Sequence, residues 1–339
     1  MAYSLKRKFY EALPGWLKRP VEWVPFSAFA GSSYRQVIAR GLELDTAPRE
    51  TLRAYQSKAL GQMLDFATRE VPAYQSLRSV VEKLEPFEAL KAFPFLHKED
   101  LQTDLGRFLP RSFEKIPHYE CTTGGTTGNQ LKFYVDDNSQ SVEMGFMHRQ
   151  WERVGYTPKS RKATFRGVSF PRAANGVFWQ ENPIYREIQF SPFHMNDQNL
   201  ARYFDEMRRF RPEFLHGYPS AISLVAEFVH RHPEALAGIQ LKAILLGSEA
   251  LFPDQRERIE GALKARIYSW YGHSERLILA GECETSTAYH HFPDYGVAEI
   301  LKEDGTVASQ PGERGELVGT GVLNRSLPMI RYRTGDRAR

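Results

Sequence analysis

The sequence predicts an α/β fold with a helical N-terminal region, a parallel-type sheet core and a small β region at the end. Three observations predict it. Residues 1–115 carry apolar side chains at three- and four-residue spacings between charges. From about residue 118, short apolar or β-branched runs alternate with helical patterns, which is how helices come to cover both faces of a parallel sheet. The last stretch changes again, to alternating runs joined by a turn.

Taken in order, the elements are these. Arg49–Arg69 and Val80–Leu90 read as helices. Ala163–Phe170, Phe214–His216, Ala243–Leu246 and Arg266–Trp270 read as strands, with helices at Leu200–Arg209, Ala221–His230 and Pro253–Leu263. Val297–Leu301, a turn at Asp304–Gly305 and Glu316–Val322 form a meander, and Ile330–Arg339 ends the chain with no closing helix or strand. The expected division is a helical region over 1–115, a nucleotide-binding α/β core over 116–295 and a β-rich segment over 296–339.

Composition excludes several classes. The 339 residues, 42% hydrophobic and 25% charged, suit a globular protein with a substantial core. Forty-five basic residues against 41 acidic ones leave a net charge of +4, too little to argue for a nucleic-acid partner. Two cysteines, Cys121 and Cys283, cannot build a disulfide framework, so a reducing, cytoplasmic setting is expected. Apolar runs such as Ile222–Val229 are too short to span a bilayer. The opening segment sets Trp16, Trp23, Val24 and Phe26 beside Lys6, Arg7, Lys8, Lys18 and Arg19. It reads either as a weak membrane-surface helix or as a segment docked on its own domain; Pro14 and Pro20 interrupt a helix and favour docking.

The chemistry-bearing segments lie in the core. Cys121–Lys132, CTTGGTTGNQLK, combines Gly124, Gly125 and Gly128 with Thr122, Thr123, Thr126 and Thr127. Glycines let backbone approach a ligand closely, and exposed N–H groups with hydroxyls suit phosphate oxygens. The spacing is neither Gly-x-x-x-x-Gly-Lys-Ser/Thr nor Gly-x-Gly-x-x-Gly, which disfavours a kinase; an ordinary turn fits the loop equally well. Tyr268–Glu275 follows a strand, which places Tyr271, Gly272, Ser274 and Glu275 where α/β sheets bind ligands. Tyr271 suits stacking on a base, Ser274 a phosphate contact and Glu275 a Mg²⁺ ion. Gly247, Ser248 and Glu249 sit similarly, after Ala243–Leu246, and suit either a flat base or a helix start. Asp336 suits ribose hydroxyls, with Arg331 and Arg333 near phosphate. Cys283, His290 and His291 invite a Zn²⁺ reading, but a closed site needs a fourth ligand. Nothing in the spacing builds a Ser-His-Asp or Cys-His set.

Four such motifs in this order resemble the adenylate-forming superfamily of acyl-CoA synthetases and adenylation domains. Within it the chain is similar to phenylacetate–CoA ligases and CapK-type proteins, through nearly its whole length, including KFYEALPGWLKRP near the start and FLHGYPS at Phe214–Ser220. The resemblance implies an ATP-dependent, AMP-forming ligase that converts a small carboxylic acid to an acyl-adenylate for transfer to CoA or an amine, with surface-polysaccharide assembly as the setting that the CapK-type resemblance suggests. ATP and Mg²⁺ are the implied cofactors, with CoA as an acceptor. Thr126, Thr127 and Gly128 match the phosphate loop, and Thr123 and Gly125 flank them. Gly247, Ser248 and Glu249 match the segment beside the adenine, Tyr271 the stacking tyrosine, Ser274 the phosphate hydroxyl, Glu275 the Mg²⁺ carboxylate and Asp336 the ribose aspartate. By analogy the acid pocket lies near Phe170, His216, Tyr218 and Ala250. Asn129-Gln130-Leu131 stands where the family has Gly-x-Pro before the loop lysine, so Lys132 is not carried over. The family also continues into a mobile, lysine-bearing C-terminal domain that this sequence does not contain, and the chain as given is expected to adenylate poorly. A nucleotide-binding scaffold of the same fold is the alternative.

Overall fold

The structure, a computed structural model, describes residues 23–123, 130–167, 170 and 172–339. The helices are α1 (Phe26–Leu44), α2 (Arg49–Glu70), α3 (Arg78–Val81), α4 (Pro86–Leu90), α5 (Lys98–Thr103), α6 (Ser139–Glu152), α7 (Asp197–Phe210), α8 (Pro219–Arg231) and α9 (Pro253–Leu263). The strands are β1 (His118–Thr122), β2 (Lys132–Asp136), β3 (Lys162–Phe165), β4 (Trp179–Asn182), β5 (Glu187–Phe190), β6 (Phe214–Gly217), β7 (Ala243–Gly247), β8 (Ile267–Gly272), β9 (Leu279–Gly281), β10 (His290–His291), β11 (Gly296–Leu301), β12 (Gly315–Gly321) and β13 (Tyr332–Ala338).

Eight strands form the main sheet in the order β10-β9-β8-β7-β6-β3-β5-β4. The central pairings, from β5 through β3, β6 and β7 to β8, are parallel. Both edges turn antiparallel, at β4 and at β9 and β10, so the sheet is mixed. Periodicity carries no sign of strand direction, and no helix separates β8 from β9 to signal a crossover. β7 reads Ala-Ile-Leu-Leu-Gly because it is buried on both faces. One face packs Phe165, Leu215, Ile244, Leu246 and Ile267 beneath α7, α8 and α9, with Ile222, Val225 and Val229 of α8 at helical spacing. The other face packs Phe214 and Leu245 beneath Phe146 and Trp151 of α6.

Two expectations change. Val80–Leu90 is two short helices, because Pro86 begins α4 as its first residue and lacks the N–H a continuous helix would need. The tail does close on a strand: β13 pairs antiparallel with β12, and the sheet β11-β12-β13 covers the end of the core. Its charged residues hid it, since Arg333 pairs with Glu316 and Arg331 with Glu299 across the sheet. Residues 1–22 lie outside the described residues. Trp23 is exposed, whereas Phe26 packs on Tyr34, His148 and Tyr185. Among the described residues no helix is long and apolar enough to cross a membrane.

Candidate active site

The parallel strands end in register. Phe165, Gly217, Leu246 and Ser269 lie level across β3, β6, β7 and β8; β3 and β6 end there, β7 runs one residue further to Gly247 and β8 three further to Gly272, all toward one edge. Strand carboxyl ends are where such sheets bind ligands. Gly247 is required here, because a Cβ would meet the Trp270 ring at 2.3 Å. A Cβ on Gly272 would likewise meet the same indole, at 2.9 Å from Cζ3. Ser248 then takes a left-handed backbone with φ 70°, an unfavourable conformation for a residue with a side chain.

Of the residues expected at a nucleotide site, Tyr271 and Asp336 meet directly: the tyrosine hydroxyl donates to the Asp336 carboxylate at 2.7 Å. Burial, reinforced by that carboxylate, pushes the Tyr271 hydroxyl well above its ordinary range, so it stays protonated. Glu275 is buried, and its oxygens accept from Tyr332 Oη at 3.1 Å and His273 Nδ1 at 3.1 Å. His273 Nε2 in turn accepts from the Ile278 amide at 3.2 Å, which orients the ring with Nδ1 toward Glu275. Burial alone would raise the Glu275 carboxyl; the His273 and Tyr332 hydrogen bonds outweigh it and hold the carboxyl below its usual range. An ionised carboxylate of this kind fits Mg²⁺, since each oxygen keeps a lone pair after one hydrogen bond. Ser274 beside it is exposed.

Other residues take roles the motifs did not show. Glu249 accepts from Ser220 N at 2.9 Å and Ser220 Oγ at 3.0 Å, which seats its charge on the start of α8. Ser248 Oγ accepts from Arg166 at 3.0 Å. His216 is buried, and burial followed by the nearby Arg166 and Lys162 charges keeps it neutral. Tyr218 lies under the Arg166 guanidinium, 5.2 Å from ring centre, and Ala250 is exposed beyond Glu249.

The phosphate loop is framed but its tip is not described. β1 and β2 form an antiparallel hairpin. Thr123 closes its neck, donating N–H to Leu131 O at 3.0 Å and accepting from Leu131 N at 3.0 Å on Oγ1. Gly125, Thr126, Thr127 and Gly128 lie outside the described residues. Lys132 points to Glu120 at 3.5 Å, and burial raises the Cys121 thiol.

Several expectations are corrected. Arg331 and Arg333 do not reach a phosphate site: Arg331 binds Glu299 and the carbonyls of Lys91 and Phe93, and Arg333 binds Glu316. Cys283 Sγ contacts Thr285 Oγ1 at 3.3 Å, and among the described residues no cluster of three or more His, Cys, Asp or Glu is placed to hold a metal ion. Sequence reasoning missed Arg166, His273, Tyr332 and Thr334. Tyr332, Thr334 and Asp336 alternate along one strand, a period-two signal that the charged context obscured.

No family model matches the chain. Protein CapK of Staphylococcus aureus is 24% identical over 254 residues, covering 73% of this chain and 53% of CapK. A phenylacetate-coenzyme A ligase of Thermus thermophilus is 25% identical over 305 residues, covering 87% of this chain and 67% of the relative. Among solved structures, 2-hydroxyisobutyryl-CoA ligase in complex with 2-HIB-AMP and CoA superposes with a TM-score of 0.67 at 20% identity, covering 86% of this chain and 64% of that one. The chain thus spans about half the length of CapK and just under two thirds of the solved ligase. The chain is thus similar to phenylacetate–CoA ligases and to CapK, and it shares the fold of the solved acyl-CoA ligase.

Proposed function

We propose that this chain forms the nucleotide- and acid-binding part of an AMP-forming carboxylate ligase. One observation carries the reading: Tyr271, Glu275 and Asp336, from motifs 65 residues apart at the extremes, converge at the carboxyl edge of the sheet next to Gly247–Glu249. The relatives support a ligase of the acyl-CoA type. The split into a helical region over 1–115, a nucleotide-binding core over 116–295 and a β segment over 296–339 belongs to the same proposal. So do the site roles carried by the motifs.

The chemistry follows from charge. A carboxylate attacking an α-phosphate brings anions together, so the site must supply positioned donors and neutralising charge rather than a covalent nucleophile. Glu275 would hold Mg²⁺, which offsets phosphate charge when bound. Thr126, Thr127 and Gly128 would donate to phosphate oxygens, Tyr271 would stack on adenine and Asp336 would accept from ribose hydroxyls. For that, the Tyr271–Asp336 hydrogen bond must open or be shared. The carboxylate oxygen bonds to the α-phosphorus and pyrophosphate leaves. A thiol of CoA or an amine then attacks the acyl carbon and releases AMP. A role in surface-polysaccharide assembly belongs to the same proposal.

The test is carboxylate-dependent exchange of pyrophosphate into ATP over an acid panel, with the full natural reading frame. Exchange with at least one acid is expected. Intact ATP binding with no exchange for any acid would leave the nucleotide-binding scaffold instead.

A further inference from the structure

Two side-chain hydrogen bonds join β13 of the small sheet to β8 of the main sheet and the loop after it. Tyr332 donates to Glu275, and Tyr271 on β8 donates to Asp336 Oδ2 at 2.7 Å, 65 residues further along the chain. Tyr271 is half-buried, and its ring packs against the core cluster that includes Leu277, Met329 and Tyr332, so its hydroxyl has a fixed place. Asp336 is exposed, as a group that receives a ligand must be.

The backbone beneath Asp336 is also held. The pairing of β12 with β13 slips between Glu316 and Val318, and Gly335 takes a left-handed φ of 80°. Irregularities of this kind re-aim a side chain next to a site. Glu316 Oε1 accepts from the Gly335 amide at 3.1 Å. Thr334 Oγ1 accepts from the Asp336 amide at 3.1 Å and donates to Leu317 O at 2.8 Å. With the backbone anchored, the Asp336 carboxylate is the part still free to turn. Among the described residues, only Tyr271 donates to it.

We propose that the Tyr271 hydroxyl is a ribose-positioning group: it stays on Asp336 Oδ2 and holds the carboxylate aimed at the 2′- and 3′-hydroxyls of ATP. The inference rests on the nucleotide-site reading given above. An ionised carboxylate offers about four acceptor positions, so one donor from Tyr271 leaves room for both ribose hydroxyls. The bond is therefore shared with the sugar and not opened by it. A carboxylate fixed in advance loses less freedom when the nucleotide arrives, which strengthens binding. One tyrosine then serves two parts of adenosine, its ring meeting the base and its hydroxyl meeting the sugar through Asp336.

The experiment measures calorimetric binding of ATP and of 2′,3′-dideoxy-ATP, which lacks both ribose hydroxyls, to the full natural protein. Wild type, Tyr271→Phe, Asp336→Ala and the double variant are compared, with thermal melting to confirm folding. Tyr271→Phe keeps the ring and should weaken ATP by roughly tenfold, the scale of one hydrogen bond to a charged group. Its affinity for 2′,3′-dideoxy-ATP should hold. In the Asp336→Ala background, Tyr271→Phe should change ATP binding by less than about twofold, because the hydroxyl acts through that carboxylate. Equal weakening of both nucleotides by Tyr271→Phe would assign the loss to the ring or the fold and overturn the inference. So would unchanged or tighter ATP binding, since the bond would then compete with the sugar. If the wild type binds the two nucleotides equally, or binds neither, Asp336 meets no ribose and the nucleotide-site reading itself falls.

Discussion

At the scale of single residues, the site depends on hydrogen bonds and bare backbone. Glu275 is held ionised by His273 and Tyr332, although it is buried. Glu275→Gln keeps the shape and removes the charge, and should cut Mg²⁺-dependent exchange by roughly 100-fold, the scale of losing one positioned electrostatic group. Unchanged exchange would show that Glu275 has another task. Gly247 answers a packing demand: a methyl there enters the Trp270 indole. Gly247→Ala should destabilise the protein by about 1–3 kcal/mol in denaturant unfolding, as overpacking does. No loss would mean that Trp270 can swing aside.

The helix pair α1 and α6 shows how an element answers pH. They cross closely, since a Cβ on Gly145 would lie 2.8 Å from Val37. At the crossing the Tyr34 hydroxyl meets buried His148 Nδ1 at 2.8 Å. Burial, then the Lys162 charge, lowers His148 to about 3 from an ordinary 6.5. The folded ring stays neutral while the unfolded one takes a proton below about pH 6.5. Its share of stability is therefore complete above pH 6.5 and is lost as the pH falls towards about 3. His148→Asn, which keeps an acceptor but cannot titrate, should flatten the acid limb of stability against pH by up to about 1.4 kcal/mol per pH unit. An identical limb in the variant would place the titration elsewhere, with half-buried His291, lowered to about 4, as the next group to examine.

Across the whole molecule, Arg149 ties distant chain segments together. It reaches from α6 to Asp45 after α1 and to Asp294 before β11, and stacks near Phe146 and Phe292. Arg149 is buried, and so is Asp294. Arg149→Ala strands that carboxylate without its partner and should cost about 3–5 kcal/mol, read as a lower denaturant midpoint. Substitution of Arg149 and Asp294 together by apolar residues should recover much of the loss; if it does not, the aromatic stacking matters more than the charge pair. Arg331 makes a similar tie, from β13's entry to Glu299 and to the carbonyls before α5.

The sequence by itself determined the α/β class, the helices α2, α7, α8 and α9, the central strands and the positions of Tyr271, Glu275 and Asp336. These depend on local periodicity and on motif order, both written along the chain. It could not give strand direction at the sheet edges, because antiparallel and parallel strands share the same period of two. Nor could it see β13, whose Arg333 and Arg337 pair with Glu316 and Glu303 and whose Asp336 accepts from Tyr271, all from other parts of the chain. Tertiary structure alone decided that Arg166 faces Ser248, that His273 locks Glu275 and that Arg331 and Arg333 are structural. The physical reason is the same in each case. A polar side chain's role is set by the partner that satisfies it, and those partners lie tens of residues or more away, except for His273, whose ring is oriented by the later Ile278 amide.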